Sequence, residues 1–372
     1  VVNGVSAAAR SNAADDAHMD RALFLAARGS GRTSPNPLVG AVVVSPEGVV
    51  VGQGAHERAG EPHAEVHALN AAGSRARGAT LYCTLEPCCH VGRTGPCVTR
   101  IVEAGIKRVV AAMEDPNPIV SGRGFAFLRE HGVEVSVGRR EGAARRLNQP
   151  FITLMREGRP FVIAKAAVSA DGYIAAAPGR RTALTSDAAN RHAHRVRAEV
   201  DAIGVGSATV LADDPELTAR GAFRERPLAR VIFDRRLRTP PTARVLSTAS
   251  AGPVIIITTA EFRDRRELTA PLEAAGAAIE VADDGALVSA LRRLGARGIG
   301  SLLLEGGAAL HAAAWDEDVV DFVRLYVTPH VLGEGGVPLF GGKAFFSAAL
   351  AERQVRPLGP DTLIEGYVHG PR

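Results

Sequence analysis

The apolar positions along this chain come in short runs, divided by stretches whose apolar residues recur at helical spacing. Residues 39–44 and 49–54 are two such runs around Pro46-Glu47-Gly48, and predict a β-hairpin. A helix over 20–28 precedes them, and Pro62 suits the first turn of a helix over 63–72. Strand 80–85, helix 97–104, strand 108–113, helix 124–131 and strand 133–137 follow. The alternation predicts a sheet covered by helices on both faces.

A charged, low-order segment over 139–159 then separates a second α/β pattern. Its strands are expected at 161–168, 202–205, 229–234, 253–259, 301–305 and 322–328, with helices at 187–199, 261–275, 285–294 and 308–315. The organisation expected is a flexible tail over 1–17, a first domain over 18–150, a linker over 151–159 and a second domain over 160–372. Length agrees, because 372 residues exceed one core at roughly 150 residues per domain.

Composition narrows the class. Apolar residues make up 46% and charged residues 23%, the balance of an ordinary globular protein. No apolar run is long enough to cross a bilayer, and residues 1–20 lack the apolar segment of a secretory signal. The formal charge of +4 is spread without a long basic run, so no nucleic-acid partner is expected. Only Lys107, Lys165 and Lys343 are lysines, which marks each for attention. All four cysteines lie between residues 83 and 97, a clustering that favours metal binding in a reducing cytoplasm over a disulfide framework.

Within that cluster, His63 followed by Glu65, then Cys88 after Pro87 and Cys97 after Pro96, supplies three zinc ligands and an adjacent carboxylate. Structural zinc is usually closed by four protein ligands, whereas hydrolytic zinc keeps a position for water. The pattern H-x-E followed by P-C and a second Cys is that of zinc deaminases, with the glutamate as proton carrier. The competing reading is a closed structural site, with Cys83, Cys89 or His67 as fourth ligand. His67 stands four residues after His63 and so shares its helix face.

In the second half, Leu304-Glu305-Gly306-Gly307-Ala308 and Gly204-Val205-Gly206-Ser207-Ala208-Thr209 each read as a strand ending in glycines that open a helix. Either is suited to a phosphate group or is simply a tight turn. Neither is a G-x-G-x-x-G fingerprint, so a Rossmann domain is not expected.

Five segments in order carry a resemblance: Pro35-Asn36-Pro37-Leu38-Val39-Gly40, Gly60-Glu61-Pro62-His63-Ala64-Glu65-Val66-His67-Ala68, Thr84-Leu85-Glu86-Pro87-Cys88, Gly92-Arg93-Thr94-Gly95-Pro96-Cys97 and Asp115-Pro116-Asn117-Pro118. Together with Lys165-Ala166-Ala167 and the run 205–220, they resemble the bifunctional deaminase/reductase family of riboflavin biosynthesis. The resemblance implies an α/β chain of two domains. The first is a cytidine-deaminase-like α/β/α domain, and the second is similar in fold to dihydrofolate reductase.

It implies one zinc ion on His63, Cys88 and Cys97, with Glu65 catalytic, and Asn36, His56, His90, Arg93 and Asn117 on a pyrimidine ribose-phosphate. It further implies NADPH as reductant, lined by Ala167, Ala183, Thr209, Asp213, Arg235 and Gly307. Lys165, Arg181, Arg197, Leu217, Arg220 and Glu305 would hold the reductase substrate. A cytoplasmic homo-oligomer, dimer or tetramer, is implied as well. One stretch departs from the family pattern: Gly179-Arg180-Arg181-Thr182-Ala183 has a methyl at Ala183 where the family usually carries a tryptophan, which predicts weaker cofactor contact. The alternatives are a nucleobase deaminase with a C-terminal binding module, an impaired reductase, and a zinc-stabilised binding protein without turnover.

Overall fold

The computed structural model describes residues 7–89, 95–180, 182–343 and 345–371. The chain folds as two compact units, with the boundary between Arg156 and Glu157.

The first unit runs α1 (Ala7–Ala27), β1 (Gly40–Val44), β2 (Val50–Ala55), α2 (Ala64–Ala72), β3 (Thr80–Cys83), α3 (Cys97–Glu103), β4 (Arg108–Ala111), α4 (Arg123–Glu130), β5 (Glu134–Val137), α5 (Glu141–Leu147) and α6 (Gln149–Glu157). Its sheet has the order β2-β1-β3-β4-β5. The expected hairpin is the antiparallel β1–β2 pair, and β3, β4 and β5 run parallel. Val42, Val43, Leu81, Val109 and Val110 are fully buried, the near-continuous apolar signature of strands covered on both faces.

The structure corrects two expectations. The stretch 1–17 is expected to be a tail, but α1 begins at Ala7. Asp15, inside that stretch, is buried and accepts hydrogen bonds from Tyr82 Oη (2.6 Å) and both terminal nitrogens of Arg108 (3.1 and 2.8 Å). The 139–159 segment is likewise two helices, α5 and α6, so the expected linker 151–159 is largely helix. Apart from Arg159, which is buried against Asp321, its charged residues are exposed or half-buried while Ala144, Ile152 and Leu154 are buried, the amphipathic pattern of a surface helix.

Glycines set the spacing of this unit. A Cβ on Gly40 would lie 2.0 Å from the Ala22 carbonyl oxygen of α1, and one on Gly52 would lie 2.2 Å from that of Ala68 on α2. A Cβ on Gly54 would meet the His67 Cβ at 2.4 Å. These helices therefore rest on the strands at backbone distance.

The second unit contains β6 (Phe161–Val168), β7 (Tyr173–Ala175), α7 (Asp187–Glu199), β8 (Ala202–Gly206), α8 (Ser207–Asp213), β9 (Ala229–Phe233), α9 (Arg244–Ser247), β10 (Val254–Thr259), α10 (Arg266–Ala274) and β11 (Ala277–Ala282). Then come α11 (Leu287–Ala296), β12 (Ser301–Gly306), α12 (Ala308–Asp316), β13 (Phe322–Val327), β14 (Val337–Pro338), β15 (Ala351–Leu358) and β16 (Asp361–Tyr367). The main sheet has nine strands in the order β11-β10-β9-β8-β12-β6-β13-β16-β15. All neighbours from β11 to β13 pair in parallel, and the β15–β16 hairpin closes one edge antiparallel. β8 and β12 are adjacent although four strands apart in sequence order. Such a switch opens a crevice at the carboxyl ends of the strands.

Candidate active sites

In the first unit, three elements converge. His63 is the N-cap of α2, Cys88 follows β3, and Cys97 opens α3. The Cys97 N–H donates to Cys88 Sγ (3.4 Å) and the Val98 N–H to the Cys88 carbonyl (3.2 Å), so the start of α3 is tied to the Cys88 turn. His63 Nδ1 lies 3.3 Å from Cys97 Sγ and 3.4 Å from Cys88 Sγ. Two sulfurs and a nitrogen around one tetrahedral zinc would sit about 3.6 Å apart, from Zn–S near 2.3 Å and Zn–N near 2.0 Å. The donor set fits the ion.

Among the described residues, these three form the one group of His, Cys, Asp or Glu donors close enough to share a cation. None of the alternative fourth ligands joins it. Cys83 is buried in β3 within the apolar core, and His67, though on the same helix, packs against Gly54.

The protonation pattern also suits a dication. Hydrogen bonding from Cys97 and then from His63 lowers the Cys88 thiol to about 4, while the shared proton and burial push Cys97 well up. The Cys88 sulfur raises His63 to about 9. Groups that share protons this closely release them when a metal takes their place. Glu65, 3% exposed in the first turn of α2, is raised to about 7 by burial and by the charge at Cys88. A carboxyl held near neutrality can both accept and return a proton.

Asn36 and His56 are brought beside this group. The His56 and His63 rings stand edge to face with centroids 5.5 Å apart. His56 Nδ1 lies 3.2 Å from the Pro62 carbonyl, which can only accept, so Nδ1 carries the proton and Nε2 receives the Asn36 amide N–H (3.1 Å). Among the described residues, nothing donates to the Asn36 side-chain carbonyl oxygen. Burial keeps the His56 imidazole below its ordinary range. Asn117 sits in the loop after β4, where its side-chain oxygen accepts the Ile119 N–H (3.1 Å). His90 and Arg93 lie outside the described residues.

The second unit carries a cavity of about 1250 Å³ at the carboxyl ends of β8 and β12. The two glycine turns read separately in the sequence meet in its wall: a Cβ on Gly306 would sit 3.1 Å from Thr209 Oγ1 at the start of α8. Gly307 at φ 85° has left-handed backbone geometry that a glycine adopts without strain. Bare backbone beside helix starts, in a space of this size, fits a dinucleotide. Ala167, Ala183, Thr209, Asp213, Arg235 and Gly307 all line the cavity, as do Lys165 and Glu305.

Arg197 is not in that lining but forks onto Glu305, Nε at 2.7 Å and Nη2 at 2.6 Å, and its Nη1 donates to the Thr218 carbonyl (3.0 Å). Lys165 Nζ lies 4.0 Å from the same carboxylate and 5.4 Å from the centroid of the Tyr326 ring. Burial alone would raise Glu305, but the charges of Lys165 and Arg197 overcome it and hold the carboxyl at about 2. Burial lowers Lys165 despite that partner. Leu217 and Arg220 line a separate cavity of about 380 Å³, with Leu217 in left-handed geometry at φ 53°. Arg181 lies outside the described residues.

Several residues escaped the sequence reading. His311 is buried in the cavity wall, lowered to about 4 by burial and by the charge of Lys165, and its Nδ1 has no partner among the described residues. Arg238 donates to Ser207 Oγ (2.9 Å) at the start of α8. Asp115 is raised to about 6, chiefly by burial. Glu86 is buried beside Pro87 and Cys88, and its position directly before a Pro-Cys pair was the available signal.

A zinc-deaminase site on one unit and a dinucleotide cavity on the other define a two-headed enzyme, a hydrolytic deaminase joined to a reductase. Residues 12–113 match the cytidine and deoxycytidylate deaminase zinc-binding region, and residues 160–364 match the RibD C-terminal domain. The chain belongs to the RibD family of riboflavin biosynthesis proteins. It is 42% identical to the Aquifex aeolicus member over 94% of this chain and 97% of that one. To the Escherichia coli member it is 39% identical over 94% and 98%. Acinetobacter baumannii RibD superposes with a TM-score of 0.84 at 36% identity, covering 95% of this chain and 98% of that one. The Thermotoga maritima diaminohydroxyphosphoribosylaminopyrimidine deaminase/5-amino-6-(5-phosphoribosylamino)uracil reductase has a TM-score of 0.81 at 35% identity, covering 95% and 99%. Among the described residues, no helix is long and apolar enough to cross a membrane.

Proposed function

We infer that this chain performs both reactions named for its Thermotoga relative. It removes ammonia from a diaminopyrimidine bearing a ribosylamino 5-phosphate, then reduces the ribosyl group to ribityl with NADPH. The observation that supports the first step most strongly is a buried Glu65 two residues from one of three converging donors, His63, Cys88 and Cys97. Zinc held by those donors supplies Lewis acidity that makes water a nucleophile near neutral pH. Glu65 takes the proton at its carboxylate and returns it to the departing amine. Asn36, fixed by His56, offers its carbonyl oxygen to a donor on the pyrimidine.

In the second unit, NADPH supplies the reducing equivalents and the protein orients the reacting parts. Thr209, Asp213, Arg235 and the Gly306-Gly307 turn hold the cofactor in the larger cavity. Lys165 and Glu305 at its wall, with Arg197 behind them fixed on Glu305, form a charged group that orients the substrate sugar. Arg220 and Leu217, around the smaller cavity, belong to the same substrate assignment by family position. A cytoplasmic homo-oligomer is part of this reading.

Glu65→Gln should abolish ammonia release while bound zinc stays near one per chain by elemental assay. Retained deamination would reject the assigned proton carrier. The same variant, given the deaminated intermediate and NADPH, should still bleach nicotinamide absorbance, and a flat trace with the parent protein would reject the reductase.

A further inference from the structure

Glu86 takes no part in the chemistry above, yet it is only 3% exposed and stands two residues before Cys88. Its carboxylate accepts four backbone N–H groups. Oε1 takes those of Gly124 (2.8 Å) and Phe125 (3.3 Å), and Oε2 those of Gly122 (2.9 Å) and Asp115 (3.2 Å). Among the described residues no basic side chain pairs with it, so these four bonds are what satisfies the buried carboxyl group.

The donors come from both ends of one segment, 114–125, which comprises the loop after β4 and the first turn of α4. Gly122 is the N-cap of α4 and has no side chain to satisfy the first N–H groups of that helix, so Glu86 caps the helix from the neighbouring turn. The Asp115 end continues as a relay. Asp115 Oδ1 accepts the Asn117 N–H (2.8 Å), and Asn117 Oδ1 accepts the Ile119 N–H (3.1 Å). The Asn117 carbonyl oxygen is thus engaged, leaving its amide NH₂ to donate to a ligand. The segment also has little freedom at its far end, because a Cβ on Gly124 would lie 2.2 Å from the Pro87 carbonyl oxygen.

We propose that Glu86 is a positioning residue for pyrimidine recognition: it locks the 114–125 segment onto the Pro87-Cys88 turn so that Asn117 presents a hydrogen-bond donor at a fixed place. Asn36 then offers an acceptor and Asn117 a donor, a pairing that suits the mixed donor–acceptor edge of an aminopyrimidinone. The proposal rests on the deaminase reading given above.

The test compares the full-length, zinc-loaded chain with Glu86→Gln, Asn117→Ala and the double variant. In either rotamer, glutamine aims its NH₂ at two N–H groups that need an acceptor, so this near-isosteric change breaks two bonds. Amide exchange at one of the two pairs, residues 124 and 125 or residues 115 and 122, should accelerate by about tenfold or more, as expected for buried donors left without acceptors. Zinc content and NADPH oxidation by the second unit should stay as in the parent. The deaminase KM should rise about tenfold with kcat little changed, the mark of lost binding that is common to ground and transition states. The double variant should be no worse than the poorer single one.

Faster exchange with an unchanged KM would overturn the proposal, as would additive effects of the two substitutions or loss of zinc from Glu86→Gln. If Glu86→Gln does not fold, Glu86→Asp keeps the charge and shortens the reach, and the same readouts decide. A parent protein that releases no ammonia would instead reject the underlying deaminase reading, which the exchange and zinc measurements distinguish because they need no turnover.

Discussion

Replacing Glu305 by Gln keeps the shape of the side chain and removes the charge that Arg197 and Lys165 share. The Glu305 side chain is 7% exposed and those of its partners 16% each, so solvent cannot take its place. Its carboxyl titrates at about 2 against an ordinary 4.5, and at about 1.4 kcal/mol per unit this corresponds to roughly 3 kcal/mol of stability at neutral pH. Breaking one side of a buried ion pair costs about 3 to 5 kcal/mol by an independent route, so the two figures agree.

The chain offers a clean reporter, because its one tryptophan, Trp315, lies in α12 and stacks on Phe340 at 4.5 Å, both in the second unit. Tryptophan fluorescence in urea therefore follows this unit alone. With a slope of about 3 kcal/mol per molar, the midpoint of Glu305→Gln should fall by about 1 M at pH 7.

The pH dependence has a definite sign. The folded carboxyl is depressed, so its contribution is complete above pH 4.5 and is lost as the pH falls toward 2. Parent and variant midpoints should accordingly differ at pH 7 and converge in acid. Equal midpoints at pH 7, or a gap that persists unchanged at low pH, would refute the argument.

Two further outcomes are expected. Asp15→Ala leaves the Tyr82 hydroxyl and the Arg108 guanidinium without their acceptor, which should cost about 2 kcal/mol and speed proteolysis within α1. Undiminished protection of that helix would show that its apolar face holds it without Asp15. Ala183→Trp should tighten NADPH, because Ala183 lines the larger cavity and an added aromatic contact contributes about 0.5 to 1.5 kcal/mol beyond area. Unchanged affinity by titration would remove the idea that this departure from the family weakens cofactor binding.

Much of the fold was legible where burial imposes a single pattern. Phe161–Val168 and Asp187–Glu199 begin and end where apolar runs and helical spacing place them. β15 and β16 were not visible. β15 is an exposed edge strand whose Ala-Glu-Arg-Gln-Val-Arg sequence has no buried face to create alternation, and its identity depends on its hydrogen-bonded neighbour. The helices α5 and α6 were obscured by arginines and glutamates that outweigh a few buried positions.

The site shows the same division. Metal donors announce themselves by residue type and local spacing, so the group of His63, Cys88 and Cys97 that the fold brings together could be read directly. Arg197 and Glu305 are 108 residues apart, and only a parallel sheet brings them together. Glu86 stands in one of the segments that resemble the family, but its role depends on N–H groups supplied by a distant loop.

The backbone contact of α2 with β2 at Gly52 and Gly54 has a consequence for anyone wishing to redesign this chemistry. No compressible layer of rotamers separates helix from strand, so His63 and Glu65 inherit the strand's coordinates almost rigidly. Re-aiming the reactive centre toward another substrate would mean rebuilding the strand beneath it, because repainting the helix surface leaves its depth unchanged.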